Sequence, residues 1–106
     1  MRILLIRHAE PDYRIDSLTP KGRREAELLS RRIANYRIKD CYVSPLGRAR
    51  DTAAYCLDPL GRKAEVLDWL AEFRGRFPEP KTGKARLPWD FLPRVWTEHP
   101  GLRDPE

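Results

Sequence analysis

Short apolar runs and amphipathic stretches follow one another along the first seventy residues. Residues 2–6 form a branched apolar run that predicts a buried parallel strand. Residues 38–43 and 64–67 predict two further strands, and residues 12–18 are polar and irregular enough to predict a loop. Because amphipathic stretches separate the strands, this order predicts an α/β fold with a parallel sheet. Three strands are fewer than the roughly 5–6 of a typical sheet.

The first amphipathic stretch carries a clear helix start. Thr19 supplies a residue suited to the N-cap, and Pro20 suits the first helical position. One face repeats apolar residues at spacings of three and four, namely Ala26, Leu29 and Ile33. Asn35 is a plausible stop, so we expect a helix from Pro20 to about this residue.

The pair Ser44-Pro45 repeats the same start signal after the second strand. It predicts a helix from Pro45 to about Cys56. The helix should turn one face inward, made of Ala49, Thr52, Ala53 and Cys56. After a turn at residues 58–61, residues 68–73 should form a short helical or irregular piece.

The composition changes after Phe77. Six of the ten prolines lie from Pro78 onward, and they oppose a long helix or a central strand. Trp89, Phe91 and Trp96 lie in the same stretch and oppose a freely disordered tail. We therefore divide the chain into a core, residues 1–76, and a covering segment, residues 77–106, which we expect to pack on something.

Composition and charge narrow the function classes. Hydrophobic residues make up 41% and charged residues 35%, as in an ordinary soluble domain. No apolar run approaches membrane-spanning length and no signal cleavage site is seen, so we expect a cytoplasmic protein without a membrane partner. The net charge of +5 is spread along the chain, which favours a small phosphate ligand over a nucleic acid. Cys41 and Cys56 lack metal-like spacing and should be reduced and buried.

Basic residues and a histidine follow the first two predicted strands. Arg7 and His8 end the first strand, and Ser44 ends the second. The carboxyl ends of parallel strands meet at one edge of a sheet, so these points should lie close together. Arg48 lies in the first turn of the second helix, whose free N–H groups would attract an anion. The sequence thus predicts a phosphate site between two guanidinium groups.

The same arginines bear on the chemistry of His8. Nearby positive charge disfavours imidazolium, so we expect a neutral ring whose lone pair can attack phosphorus. The arginines would stabilise charge on the equatorial oxygens during transfer. An Arg-His pair on its own is more often a surface or core feature, because short motifs match by chance.

Four segments together resemble the motifs of one family. Arg7-His8-Ala9-Glu10 resembles the R-H-G-E signature of the histidine phosphatase superfamily, also called phosphoglycerate mutase-like. Residues 18–26, 44–53 and 70–75 resemble its L-T-x-x-G, S-P-L-x-R-A-x-x-T-A and L-x-E…G segments. The resemblance implies a three-layer α/β fold with a parallel sheet, of which this chain would be the N-terminal part.

The resemblance also implies roles for individual residues. His8 would be the phosphorylated histidine, and Arg7 and Arg48 would bind the phosphate. Glu72 would be the general acid that protonates the leaving oxygen. Taken alone, Glu72 would more often be a solvated acid. No metal or organic cofactor is implied, and the expected partner is a phosphorylated small-molecule substrate.

The chain departs from the family pattern at three places. Ala9 replaces a glycine, which would crowd the backbone near phosphate, and Glu25 stands where glutamine is usual. The family's second active-site histidine is not matched, because His99 lies in a proline-rich stretch without that motif. We expect a truncated domain, with the aromatics of the covering segment exposed and available for self-association.

The preferred function is phosphomonoester hydrolysis through a phosphohistidine at His8. Mutases of the family usually show a serine and an asparagine after the histidine, whereas residues 10–13 here look more phosphatase-like. The alternatives are a non-catalytic phosphate or phospho-ligand binder, an inactive fragment, and phosphoryl transfer of the mutase type.

Overall fold

The computed structural model describes residues 1–73, 75–78, 83–87 and 94. The chain divides into two compact units, Met1–Glu72 and Phe73–Glu106. In the first unit, four short strands and two helices are β1 (Pro11–Asp12), β2 (Ser17–Leu18), α1 (Pro20–Ile33), β3 (Tyr42–Val43), α2 (Gly47–Leu57) and β4 (Glu65–Val66). Two 3₁₀ turns, Asp58–Leu60 and Asp68–Leu70, flank β4. In the second unit, β5 (Phe77–Pro78) pairs antiparallel with β6 (Ala85–Arg86).

The parallel pairing expected for residues 38–43 and 64–67 is confirmed, although it is short. β3 pairs with β4 in parallel, with Tyr42 opposite Glu65 and Val43 opposite Val66. The N–H of Glu65 donates to the carbonyl of Cys41 at 2.8 Å, which extends the pairing toward the start of β3. Since α2 connects the two strands, this part of the chain is a β-α-β unit of the predicted kind.

The prediction of a buried strand over residues 2–6 is wrong in this structure. No strand is assigned there, and Ile3 and Leu5 are 76% and 93% exposed. A strand needs neighbouring backbone to satisfy its N–H and C=O groups, and no described strand pairs with this segment. Among the described residues the structure therefore contains one parallel pair, and the three-layer sheet stays a prediction.

The segment predicted as a loop, residues 12–18, contains a small hairpin. β1 and β2 pair antiparallel, with Pro11 opposite Leu18 and Asp12 opposite Ser17. Asp16 closes the turn in the left-handed region, with φ of 46°. Aspartate tolerates this conformation better than most residues, because its short polar side chain can hydrogen-bond locally.

Helix α1 begins as its sequence predicts. The side chain of Thr19 accepts a hydrogen bond from the N–H of Gly22, and Pro20 takes the first helical position. The helix ends at Ile33, two residues before the expected stop at Asn35. Its inner face packs on α2, with Ala26 and Ile33 buried.

The hydrophobic core lies between the two helices and the parallel strands. Ile33, Cys56 and Leu57 form its buried centre. Partly buried residues packed around it are Leu29, Ile38, Cys41, Ala53 and Ala64. Both cysteines are free as expected, although Cys41 is only half-buried, and burial raises the pKa of the Cys56 thiol.

Helix α2 begins two residues later than predicted. Leu46 takes the N-cap position instead of Ser44, and α2 runs from Gly47 to Leu57. Thr52 and Cys56 are buried on the predicted inner face. In the described part of the chain, no helix is long and apolar enough to span a bilayer.

Candidate active site

The guanidinium of Arg48 lies at the centre of the site. Arg48 is the second residue of α2, and its side chain is only 11% exposed. Nη1 donates to Oδ1 of Asp16 at 2.9 Å, and Nη2 donates to Oε2 of Glu72 at 2.8 Å. The Tyr13 ring centroid lies 5.2 Å from Cζ of Arg48, within cation–π range. Two of the sequence-predicted site residues, Arg48 and Glu72, are therefore in direct contact.

One donor of Arg48 is left over. Nε is buried and finds no acceptor among the described residues. A buried N–H without an acceptor costs about 1–3 kcal/mol. The edge of the guanidinium formed by Nε and Nη2 thus carries one unsatisfied donor and one donor paired with Glu72.

His8 is half-buried, and a neighbouring carbonyl indicates its tautomer. Nδ1 lies 2.8 Å from the carbonyl oxygen of Ala9. A carbonyl oxygen can only accept, so Nδ1 carries the proton of that hydrogen bond. In the neutral ring the lone pair then lies on Nε2, the nitrogen that remains available for attack on an electrophile.

A buried threonine connects the segment of His8 to the turn of Arg48. The N–H of Ala9 donates to Oγ1 of Thr52 at 3.1 Å, and this hydroxyl donates to the carbonyl oxygen of Arg48 at 2.8 Å. Thr52 is 4% exposed. The two loop ends that the sequence placed on one sheet edge are thus joined through α2, with no strand over residues 2–6.

Arg7 is exposed and lies apart from this network of contacts. It borders an open groove together with Leu4, Leu5, Ile6, Leu29, Arg32, Ile33 and Tyr36. Within the described residues, no hydrogen bond or ion pair joins Arg7 to His8, Arg48 or Glu72. The structure therefore joins Arg48 and Glu72 directly, and it links the backbone beside His8 to the Arg48 turn through Thr52.

Asp16 is a residue of the site that no sequence pattern predicted. Its Oδ2 accepts from the N–H of Gly47 at 2.6 Å, and its Oδ1 accepts from the N–H of Arg48 at 3.4 Å as well as from Nη1. The Gly47 N–H, with help from Arg48, holds the pKa of the Asp16 carboxyl below its ordinary value, although partial burial opposes this effect. No local pattern around residue 16 signals a cap for a helix that begins 31 residues later.

These contacts correct the expectation that free N–H groups of α2 would attract an external anion. Asp16 accepts from the N–H groups of Gly47 and Arg48, and the Leu46 carbonyl accepts those of Ala49 and Arg50. The positive end of a helix attracts any nearby anion, and here a carboxylate of the same chain occupies that position. Anion binding must therefore rely on side chains.

Close backbone approach explains two glycines of the matched motifs. A Cβ on Gly47 would come closer than 3.0 Å to the carbonyl oxygen of Asp16, and one on Gly22 would do the same at Glu10. The segment from Glu10 to Asp16 therefore lies directly on the first turns of both helices. Glu25, which replaces the usual glutamine, accepts a hydrogen bond from the N–H of Glu10 at 2.9 Å.

Several expectations fall outside the described residues. His99, Trp89, Phe91 and Trp96 lie there, so the exposure of the covering segment stays a prediction. Among the described residues, His, Cys, Asp and Glu side chains do not gather in groups of three or more that could hold a metal ion.

Comparison with known proteins gives related sequences. The chain is 38% identical over 80 residues to a Hydrogenobacter thermophilus protein provisionally named phosphoserine phosphatase 2, covering 67% of this chain and 39% of that protein. It is 44% identical over 62 residues to the serine/threonine-protein phosphatase Pgam5, mitochondrial, of Caenorhabditis elegans, covering 55% of this chain and 22% of that protein. No solved structure matches significantly.

The chain thus spans about two-fifths and one-fifth of the lengths of these relatives. The family model of the histidine phosphatase superfamily (branch 1) matches residues 3–104, nearly the whole chain. This chain belongs to the histidine phosphatase superfamily, branch 1.

Proposed function

We propose that this chain carries the phosphohistidine-forming part of a phosphomonoesterase, with His8 as nucleophile. The observation that carries the proposal is the hydrogen bond between the Arg48 guanidinium and the Glu72 carboxylate. One α-helical turn from Arg48, the hydroxyl of Thr52 holds the backbone next to His8. A phosphate-binding cation, a proton donor and a nucleophile are the three groups that this reaction needs.

The two carboxylates on Arg48 differ in how easily a phosphate could displace them. Asp16 accepts three hydrogen bonds, two of them from backbone N–H groups. Glu72 is 54% exposed and is held to Arg48 by a single hydrogen bond. An incoming phosphate would therefore replace Glu72 and leave Asp16 in place.

A phosphate group also suits the edge that Glu72 would vacate. Two of its oxygens can accept from Nη2 and from the unsatisfied Nε, in the paired geometry that guanidinium groups favour. Satisfying the buried Nε adds to the affinity for phosphate, because that donor no longer goes without an acceptor. Arg7 is exposed and free to turn toward the same phosphate.

The reaction then proceeds in two steps. Nε2 of His8 attacks phosphorus, the P–O bond to the leaving group breaks, and Glu72 gives that oxygen a proton. Water next attacks the phosphohistidine, Glu72 takes up the proton of the water, and the N–P bond breaks to release inorganic phosphate. Arg48 stabilises the charge on the equatorial oxygens in both steps.

The printed names of the relatives support a phosphatase over a mutase, since both are named as phosphatases. The substrate class we propose is a phosphorylated small molecule. A non-catalytic phospho-ligand binder is the second candidate, because the Arg48 edge would hold phosphate even if His8 never reacted.

Labelling of the histidine tests the proposal. The chain is incubated with p-nitrophenyl [³²P]phosphate, and we expect an acid-labile, alkali-stable label that His8→Ala abolishes and His99→Ala leaves intact. Arg48→Ala should slow labelling about 100-fold or more, as the loss of a transition-state donor does. Arg31→Ala removes an exposed arginine that is paired with Glu27 on α1, and this control variant should be labelled at the wild-type rate.

The same assay examines Glu72 through the leaving group. Glu72→Gln should slow labelling from phenyl phosphate far more than from p-nitrophenyl phosphate, because only the poorer leaving group needs a proton. Glu27→Gln is the control on an exposed surface.

Three outcomes would contradict the proposal or favour an alternative. Label that persists in His8→Ala would refute the proposal. Phosphate binding without label would favour the binder, and transfer of label to an acceptor other than water would favour a mutase.

A further inference from the structure

The two oxygens of Asp16 serve two different partners. Oδ2 accepts the N–H of Gly47 at 2.6 Å and so caps α2. Oδ1 accepts Nη1 of Arg48 at 2.9 Å, while its contact with the N–H of Arg48 is longer, at 3.4 Å. Capping the helix needs only one oxygen, so the second is free to orient the arginine.

Asp16 is itself held firmly. It adopts a left-handed backbone conformation, and the hydroxyl of the adjacent Ser17 donates to the carboxylate of Asp51 on α2. Gly47 lets the backbone of this turn lie against the helix, since a side chain there would collide with the Asp16 carbonyl. The hairpin and the helix thus fix the carboxylate from both sides.

We infer that Asp16 is a positioning residue for phosphate binding, and this inference rests on the proposed function. By occupying Nη1, Asp16 turns the Nη2 and Nε edge of Arg48 toward the phosphoryl group. The ring of Tyr13, 5.2 Å from Cζ, supports the same orientation of the guanidinium. Asp16 acts only through Arg48 and does not touch the substrate.

One substitution separates positioning from capping. In Asp16→Asn the single amide oxygen can still accept the Gly47 N–H, and asparagine is as good an N-cap as aspartate. The amide nitrogen would then face Nη1, where donor meets donor and no hydrogen bond forms. This variant should therefore keep the cap and release Arg48.

Titration with inorganic phosphate, followed by ¹⁵N NMR of the arginine side chains, tests the inference. In the wild type we expect distinct Nη signals for Arg48, because its guanidinium cannot rotate freely. In Asp16→Asn these signals should merge, and phosphate should bind about tenfold more weakly, while circular dichroism should show that the chain stays folded and keeps its helix content. Asp12→Asn is the matched control, because Asp12 lies in the same hairpin and pairs with the exposed Arg14.

A double substitution checks that Asp16 acts through Arg48. In the Arg48→Ala background, Asp16→Asn should weaken phosphate binding no further. The inference would be overturned if Asp16→Asn bound phosphate as tightly as the wild type or more tightly. It would also be overturned if Asp16→Asn weakened phosphate binding further in the Arg48→Ala background. A wild type that binds phosphate but takes no label on His8 would instead refute the proposed function and leave the role of Asp16 intact.

Discussion

Single side chains with distant partners assemble the site. Asp16 and the Arg48 guanidinium are 32 positions apart in sequence, Ala9 and Thr52 are 43 apart, and Arg48 and Glu72 are 24 apart. Each contact joins a loop to the first turns of α2. The site is centred on the Arg48 guanidinium, which donates to the firmly held carboxylate of Asp16 and to the more loosely held carboxylate of Glu72.

Acid titration of stability should reveal the charge of Asp16. Its pKa is lowered in the folded chain, so its stabilising contribution is present above about pH 4 and is lost as the pH falls through the folded-state pKa. We expect the wild type to lose free energy of unfolding on acidification more steeply than Asp16→Asn, which has no charge to lose. Urea denaturation at a series of pH values from about 6 downward measures this.

Salt provides the control for this titration. The pKa of Asp12 is also lowered, by hydrogen bonds from the exposed Arg14, and that contribution should weaken in about 1 M salt. The contribution of Asp16 should persist, because a backbone N–H is its main cause. Identical acid slopes for the wild type and Asp16→Asn would show that the Asp16 charge adds nothing to stability.

Both helices are capped from the same short segment of chain. At α1 the cap is local, since Thr19 accepts the Gly22 N–H and donates to the carboxylate of Glu10 at 2.7 Å. At α2 the cap is remote and comes from Asp16. The segment from Glu10 to Thr19, which includes the β1–β2 hairpin, thus supplies the caps of both helices.

The link between the N-terminal segment and α2 should be sensitive to a single hydroxyl. Thr52→Val keeps the shape but leaves the N–H of Ala9 without its acceptor, so we expect a loss of about 1–3 kcal/mol in the free energy of unfolding. Labelling of His8 should slow as well, because the backbone beside it is no longer held. Chemical denaturation and the labelling assay measure the two effects.

Thr52→Ser separates packing from hydrogen bonding. It loses one methyl group, worth about 0.8 kcal/mol, but keeps the hydroxyl. We expect labelling of His8 at close to the wild-type rate. Equal labelling by the valine and serine variants would show that this hydrogen bond does not position His8.

Across the whole molecule, the least expected feature is the exposed apolar segment at residues 1–6. Met1, Ile3 and Leu5 are each more than 70% exposed, in a chain with a small buried core. Contiguous exposed apolar surface is unusual for a soluble protein and promotes association. Self-association was predicted for the aromatics of the covering segment, and the described residues place an apolar surface at the opposite end of the sequence.

Removing one apolar side chain from this segment should change surface hydrophobicity without changing stability. Leu5→Lys replaces a residue that is 93% exposed, so the free energy of unfolding should stay within about 0.5 kcal/mol. Binding of the dye ANS and concentration-dependent association should both fall. Leu28→Lys, at an exposed position on α1, is the control, and an equal effect of both variants would argue against a distinct patch.

Local signals predicted well those features that depend on neighbouring residues. The Thr19-Pro20 start and the buried face of α1 follow from short patterns, and the parallel pairing of β3 with β4 follows from the strand–helix–strand order. The start of α2 was predicted two residues early, because the Ser44-Pro45 signal is local whereas the actual cap is remote. The prediction of a strand over residues 2–6 is wrong because a strand also needs a hydrogen-bonded partner strand, which no short pattern supplies.

The sequence by itself determined the family and the positions of both helices to within two residues, since motifs and periodicity are properties of neighbouring residues. Only the tertiary structure decided which anion caps α2 and which edge of Arg48 remains for a ligand. The physical reason is that hydrogen bonds go to whichever donors and acceptors packing brings within reach, and those partners lie tens of residues apart.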